Sequence, residues 1–295
     1  MDNPRKQHYI PQFYLKGFSN NSKTVWVYHK SKNTIKEQGI RDTTAIMDMY
    51  TGELFGHQNY DIEKLLHITE KYTGIVIRRI EAKVQLVEND LQILMYFIAY
   101  LYVRTPKFID QYNKVTDIFT KDYFKHRIPN VATMQSMIED CEKGTGKTID
   151  MSAKELFEFA QSNRYTAKTN KEVRLLIMII LGSELYHDLR NFCCFFVPNF
   201  NNRFYITSDS PIAIINSTSP DLGIKEDIGI RESGSVILVP LSKKICLMLT
   251  KDKENKFVHN LSPDRMNIIN RFIFLKSKDY VISNDKQEID RLIHH

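Results

Sequence analysis

Cysteine is scarce in this chain, and its scarcity removes two classes of protein at once. Four cysteines, Cys141, Cys193, Cys194 and Cys246, are spread over 295 residues, too few and too scattered for a disulfide framework. Cys193 and Cys194 are neighbours, so on a strand they face opposite ways, and no Cys-x-x-Cys pair exists to complete a zinc site. Buried, reduced thiols are expected. Apolar runs of the ~20 residues that a membrane helix needs are lacking. The opening Met-Asp-Asn-Pro-Arg-Lys-Gln-His also lacks the apolar segment of a secretory signal. The expectation is a cytoplasmic protein with no membrane partner.

Enzyme signatures are equally thin. Neither a Gly-x-Ser-x-Gly elbow nor a His-Glu-x-x-His helix occurs, which weakens the case for those hydrolases. Gly144-Thr145-Gly146-Lys147-Thr148 imitates the end of a phosphate-binding loop. The imitation fails because Cys141 stands where the first glycine belongs and because the preceding pattern is helical. Glu81-Ala82-Lys83, with Asp61 upstream, imitates part of a nuclease site but lies on one amphipathic helix rather than on a strand pair. Carboxylates do not cluster as a metal site would need, so no metal is expected and the cofactor stays unassigned.

What is present is an ordinary globular composition, 42% hydrophobic and 26% charged. The length leaves one large domain or two modest ones open. The reading adopted is one α+β domain over 1–295, in three sub-regions: a basic arm and hairpin at 1–59, a helical region at 60–190 and a strand-rich region at 191–295. Val25-Trp26-Val27-Tyr28 and the polar run to Gln38 form the hairpin, with Lys-Ser-Lys-Asn as its turn. From Tyr60, Ile62, Leu65, Leu66, Tyr72, Val76, Ile80 and Val84 recur at helical spacing. Twelve of the thirteen residues 91–103 are apolar or aromatic, so that helix must be covered on nearly every side. Asn89 or Asp90 can cap its start, and Thr105-Pro106 disfavours its continuation.

Further helices follow over 108–126, 131–141, 153–161 and 172–189. Strands then appear over 192–197, 204–208, 212–215, 236–241 and 245–249. Residues 217–234 are the candidate mobile lid. A helix, a strand and a last helix close the chain. Asp285 opens that last helix, with Glu288 at capping-box spacing. Helices followed by strands give an α+β fold, a helical middle packed on a mostly antiparallel sheet from the C-terminal half plus the N-terminal hairpin.

The charge is uneven. Lys and Arg number 41 against 35 Asp and Glu, a net of +6. Residues 1–36 alone carry seven basic side chains against Asp2, so the remainder is neutral. A basic, aromatic-rich arm suits phosphate contact, through counterion release and stacking. A solubilising surface accounts for it equally.

The most distinctive segment is Gln7-His8-Tyr9-Ile10-Pro11-Gln12-Phe13-Tyr14-Leu15-Lys16-Gly17-Phe18. It resembles the start of a largely bacterial family catalogued as domain of unknown function 4238, with the pattern His-Tyr-x-Pro-Gln-x-x-Leu-x-x-Phe complete. Val103-Arg104-Thr105-Pro106 and Ile206-Thr207-Ser208-Asp209-Ser210-Pro211 also resemble that family, and Pro240-Leu241-Ser242 does so more weakly. Ser210 departs from it, asparagine being frequent there. The resemblance implies a shared domain and no established reaction. It alone suggests a toxin-like or phage-defence effector.

Brought together, these pieces suit phosphoryl chemistry. His8 titrates near neutrality and would be general base or acid, Arg104 would clamp phosphate, and Asp209 would orient the imidazole, with Ser208 fixing the geometry. Gln12 and Tyr14 would position substrate. The expected function is a hydrolase acting on nucleic acid or a nucleotide, with a non-catalytic anion- or partner-binding sensor, or a structural subunit, as the alternative. Homo-oligomer and protein partners stay open. The same residues have structural uses: Asp209-Ser210-Pro211 is a good turn, Arg104 can bind carbonyls at a helix end, and an Arg104–Asp209 pair would lock helices onto strands. The tyrosines Tyr96, Tyr100 and Tyr102 read as core with hydroxyls at its edge.

Overall fold

The computed structural model describes residues 6–47, 49, 52–54, 57–59, 61–199, 202–217, 229–259 and 263–294. Along the chain come β1 (Lys6–His8), α1 (Gln12–Lys16), β2 (Thr24–His29), β3 (Thr34–Gly39), β4 (Ala45–Met47), β5 (Gly52–Leu54), β6 (His57–Asn59), α2 (Asp61–Glu81) and α3 (Glu88–Val103). Next are α4 (Pro106–Arg127), α5 (Val131–Thr145), α6 (Ala153–Gln161), α7 (Lys171–Leu189), β7 (Cys193–Pro198), β8 (Thr207–Ser208), β9 (Ala213–Asn216), β10 (Ser235–Ser242) and β11 (Ile245–Thr250). The chain closes with α8 (Lys256–His259), α9 (Pro263–Lys276), β12 (Tyr280–Ser283) and α10 (Lys286–Ile293). The fold class is α+β. Most of the expected lid at 217–234 lies outside the described residues. Among those described, no helix is long and apolar enough to cross a membrane.

The chain divides into two compact units, Met1–Phe108 with Leu175–His295, and Ile109–Arg174. The smaller unit has its own apolar cluster, in which Ile128, Met134, Ile138, Ala153 and Ala160 are buried. Its helices are punctuated by local chemistry. Asn130 caps α5 by accepting the Thr133 amide, and Ser152 and Glu155 form a capping box on α6. Gly146, at φ +66°, ends α5 in the left-handed region, so the Gly-Thr-Gly-Lys segment is a helix stop.

In the larger unit all β pairing is antiparallel, and two four-stranded sheets form in the orders β7-β11-β10-β9 and β3-β2-β12-β8. The N-terminal hairpin is therefore no separate piece: β12 completes its sheet from the far end of the chain. Strands β10 and β11 are buried at every position, as a run of Val, Ile and Leu without polar alternation requires. The expected strand over 204–208 shortens to β8, because Phe204 and Ile206 spend their backbone groups on the Asn270 side chain.

Helix α3 is apolar all round, and Leu94, Phe97, Ile98, Ala99 and Leu101 are sealed in the core. Asp90 accepts the Val87 amide at its start, and Pro106 begins α4, where its missing N–H leaves nothing unsatisfied. The α2 face is only partly covered. Leu66, Val76 and Ile80 are buried, whereas Leu65, Tyr72 and Val84 are exposed. Glu288 does not complete the expected capping box. Asp285 accepts the Gln287 amide, while the buried Glu288 carboxylate holds Arg203 by two bonds of 2.7 and 2.8 Å and Arg291 by one of 3.0 Å. The expectation of four buried thiols also needs correction. Cys246 is buried, Cys193 and Cys194 are half-buried, and Cys141 is exposed, because α5 turns it away from the small unit's core.

Helices α3 and α7 approach closely at Gly182, where an added Cβ would lie 2.8 Å from the Tyr100 ring. The Tyr100 hydroxyl donates to the Ile179 carbonyl, and Tyr96 stacks against both Tyr100 and Tyr186. Gly182→Ala should therefore lower unfolding free energy by about 1–3 kcal/mol through overpacking, measured by urea denaturation. An unchanged midpoint would mean that the two helices have room to part.

Candidate functional site

A cleft of about 1080 Å³ opens in the larger unit between the β1–α1 segment and α2, with the end of α3 and the end of β10 in its walls. Its walls are built locally. β1 pairs with β4, which fixes His8 opposite Ala45. Pro11 in an extended conformation precedes α1 and turns the chain into it. Helix α1 is short and is held by its end, where the Lys243 amide donates to the Gly17 carbonyl at 3.0 Å. Gly17 is needed there because an added Cβ would meet the Tyr14 carbonyl at 3.1 Å and Ser242 Cβ at 3.2 Å.

Helix α2 presents one polar stripe to this space, Glu63, His67, Glu70, Arg78 and Glu81, interrupted by Gly74, with successive steps of four, three, four, four and three residues. The three glutamates are each engaged from another element. Glu63 accepts from Gln7 at 2.9 Å, Glu70 from Arg104 at 2.9 Å, and Glu81 from the Ser242 hydroxyl. Sequence reasoning missed this stripe, Glu70 above all, because attention went to the apolar face of the same helix. Its signal was the second periodicity.

Four of the six proposed site residues, His8, Gln12, Tyr14 and Arg104, line the cleft. Ser208 and Asp209 are not among its lining residues, and the expected meeting of Asp209 with His8 and Arg104 does not occur. Asp209 instead accepts the amides of Lys278, Asp279 and Tyr280 at 2.9, 2.6 and 3.1 Å. Burial lifts its carboxyl above the ordinary range, and these three amides pull the other way. From the opposite side the Lys30 ammonium donates to the carbonyls of Phe274 and Ser277, ending α9. The turn that launches β12 is thus gripped by two charges. Ser208 is fully buried and accepts the Ser210 amide at 3.1 Å.

Tyr14 touches the cleft, but its hydroxyl is spent inside, on Thr207 at 3.0 Å and on the Pro240 carbonyl. Burial pushes that phenol far above its ordinary pKa. Its role is to tie α1 to the strands. Gln12 is half-buried at the start of α1.

His8 is half-buried. Desolvation holds its pKa below the ordinary value of 6.5, with nearby Lys6 acting in the same direction and the Arg41 carbonyl and Glu70 opposing. Its Nε2 lies 3.2 Å from the Arg41 carbonyl. A carbonyl only accepts, so Nε2 carries the proton and Nδ1 is the basic nitrogen of the neutral ring.

Arg104 is the anomaly. It is 1% exposed, caps the end of α3, and spends Nη1 on Glu70 rather than on Asp209. Its Nε and Nη2 are buried and, among the described residues, have no hydrogen-bond partner. These two donors share one edge of the guanidinium, the fork that holds two oxygens of a phosphate or carboxylate. Leaving such donors empty costs about 1–3 kcal/mol each. The cleft as a whole favours anions, since six cationic side chains line it against three carboxylates. Among the described residues, no three His, Cys, Asp or Glu side chains gather to hold a metal ion.

The family model described as protein of unknown function (DUF4238) matches residues 6–287, and the chain belongs to that family. No curated protein and no solved structure matches it.

Satisfied and unsatisfied charges predict opposite mutational behaviour. Asp209→Ala strands three amides and should cost about 3 kcal/mol of unfolding free energy. Arg104→Met, made together with Glu70→Gln so that no carboxylate is stranded, removes the orphan donors and should stay within about 1 kcal/mol of wild type or exceed it. Urea denaturation of both variants checks this. A larger loss for the double variant would mark the guanidinium as a structural element.

Proposed function

We propose that this DUF4238 protein binds the phosphate of a nucleotide or nucleic acid in the cleft and hydrolyses its ester. The empty fork of the buried Arg104 carries the reading. A guanidinium sealed from water with half its donors unused is a poor way to stabilise a fold and a good way to receive an oxyanion. In this scheme Arg104 holds two phosphate oxygens and balances the charge that builds on them. His8 Nδ1 takes a proton from water as the water oxygen bonds to phosphorus, the ester P–O bond breaks, and the ester oxygen leaves as an alcohol on taking a proton from solvent, after which the imidazolium returns its own proton to solvent. Glu70, close enough to favour the charged imidazole, steadies the imidazolium that results and replaces Asp209 in that role. Gln12 contacts the substrate.

A second reading keeps the ligand and omits the turnover. It is favoured by the Glu70–Arg104 pair, which already neutralises part of the positive charge that would otherwise stabilise the transition state. The protein would then act as a sensor of a phosphate-bearing ligand. Destruction of nucleic acid is what a toxin-like or defence role would require, so the two readings also separate at that level.

Purified protein incubated with labelled RNA, DNA and nucleoside triphosphates decides between them. Hydrolysis is expected for wild type and should fall at least about 100-fold in His8→Ala with the melting temperature retained. Because burial lowers the His8 pKa, the base form persists through neutral pH. The rate should hold from about pH 8 to about 6.5 and drop only with further acidification. A ligand that raises the melting temperature without being consumed supports the sensor. If wild type and Arg104→Gln bind and cleave nothing differently, both readings go.

A further inference from the structure

The cleft carries a second cationic feature besides the buried fork. Lys64, Lys71 and Arg78 all line it, and they stand seven residues apart on one helix. Seven residues drift only ~20° around an α-helix, so the three form a straight row on α2, stepping about 10.5 Å and reaching about 21 Å end to end. All three are exposed. Among the described residues neither Lys71 nor Arg78 has an ion-pair partner, and the glutamates of the same helix are turned to Gln7, Arg104 and Ser242 instead. The carboxylates are thereby drawn into contacts across the cleft while Lys71 and Arg78 stay along it.

We propose that the ligand is a single-stranded polynucleotide laid along α2, with one phosphate in the Arg104 fork and its neighbours on the Lys64, Lys71 and Arg78 row. This rests on the phosphate-binding reading of Arg104 and narrows it. A mononucleotide has one cluster of charge, which the Arg104 fork takes, and leaves such a row unused. A stacked strand advances about 3.4 Å per nucleotide, so the row spans about six phosphates, within the ~4–16 nucleotides of known single-strand sites. Lys16 on the facing wall places a cation on the other side of the same track, where Lys6 is paired with Asp42.

Fluorescence anisotropy with labelled 12-nucleotide RNA and DNA, and with AMP as the short competitor, tests this in the His8→Ala background so that the strand survives the titration. At least one oligonucleotide should bind 10-fold or more tighter than AMP, and the two arms identify the sugar preferred. The logarithm of its affinity should fall linearly with the logarithm of salt. Lys71→Gln combined with Arg78→Gln should reduce that slope by about 1.4, at about 0.7 per lost phosphate contact, while AMP binding is unchanged. An oligonucleotide that binds no tighter than AMP, or a slope unmoved by the double substitution, overturns the strand and leaves the phosphate at Arg104 standing. If Arg104→Gln binds AMP and oligonucleotides as well as its parent does, the phosphate reading itself falls, and the strand with it.

Discussion

A guanidinium is buried where an apolar helix runs out, and the candidate chemistry of this protein hangs on that placement. Helix α3 is committed to the core by Leu94, Phe97, Ile98 and Leu101. Its carboxyl end therefore sits at a fixed depth, and Arg104 is carried down with it. The charge cannot be shed, because arginine does not deprotonate in a protein. Desolvation must be met by partners. Glu70 supplies one of them, and two donors are left over. The neighbouring helix then shapes the cleft around this unfinished coordination.

Three other charges, buried Asp209 and Glu288 and half-buried Lys30, show what completion looks like. Asp209 has three amides, Glu288 has two arginines and an amide, and Lys30 has two carbonyls. Each holds a junction between segments distant in sequence: β8 to the turn before β12, the strand-entry loop to α10, and the hairpin to the end of α9. In all three the polar groups are saturated, and a saturated group has nothing left to offer a ligand. By that criterion Asp209, chosen from its place in a motif, belongs with the scaffold, whereas Arg104, chosen on the same grounds, keeps donors unused. Motif membership did not separate them; the count of hydrogen bonds did.

Local signals were read well where one short segment decides the outcome. The hairpin turn, the helices expected at 131–141 and 153–161, the first of which runs on to Thr145, and the break at Thr105-Pro106 follow from caps, proline and periodicity within about ten residues. Where partners are far apart, the reading failed in a consistent way. Phe204 lost its strand to Asn270, Glu288 left its capping box for Arg203, and Tyr14 turned from substrate positioning to a bond with Thr207. In each case a side chain 64 to 193 residues away outbid the neighbour along the chain. The polar stripe of α2 was legible in principle, since its spacing of three and four is as regular as that of the apolar face.

Sequence alone determined the α+β class, the family, the basic N-terminal arm and the choice of His8 and Arg104, because these depend on composition, period and short motifs. Tertiary structure decided which acid faces Arg104, which strand completes the hairpin's sheet, and that Asp209 is spent on backbone amides. Pairing across the chain depends on which groups are left without water once the apolar segments have collapsed, and that is a property of the packed molecule rather than of any stretch of it.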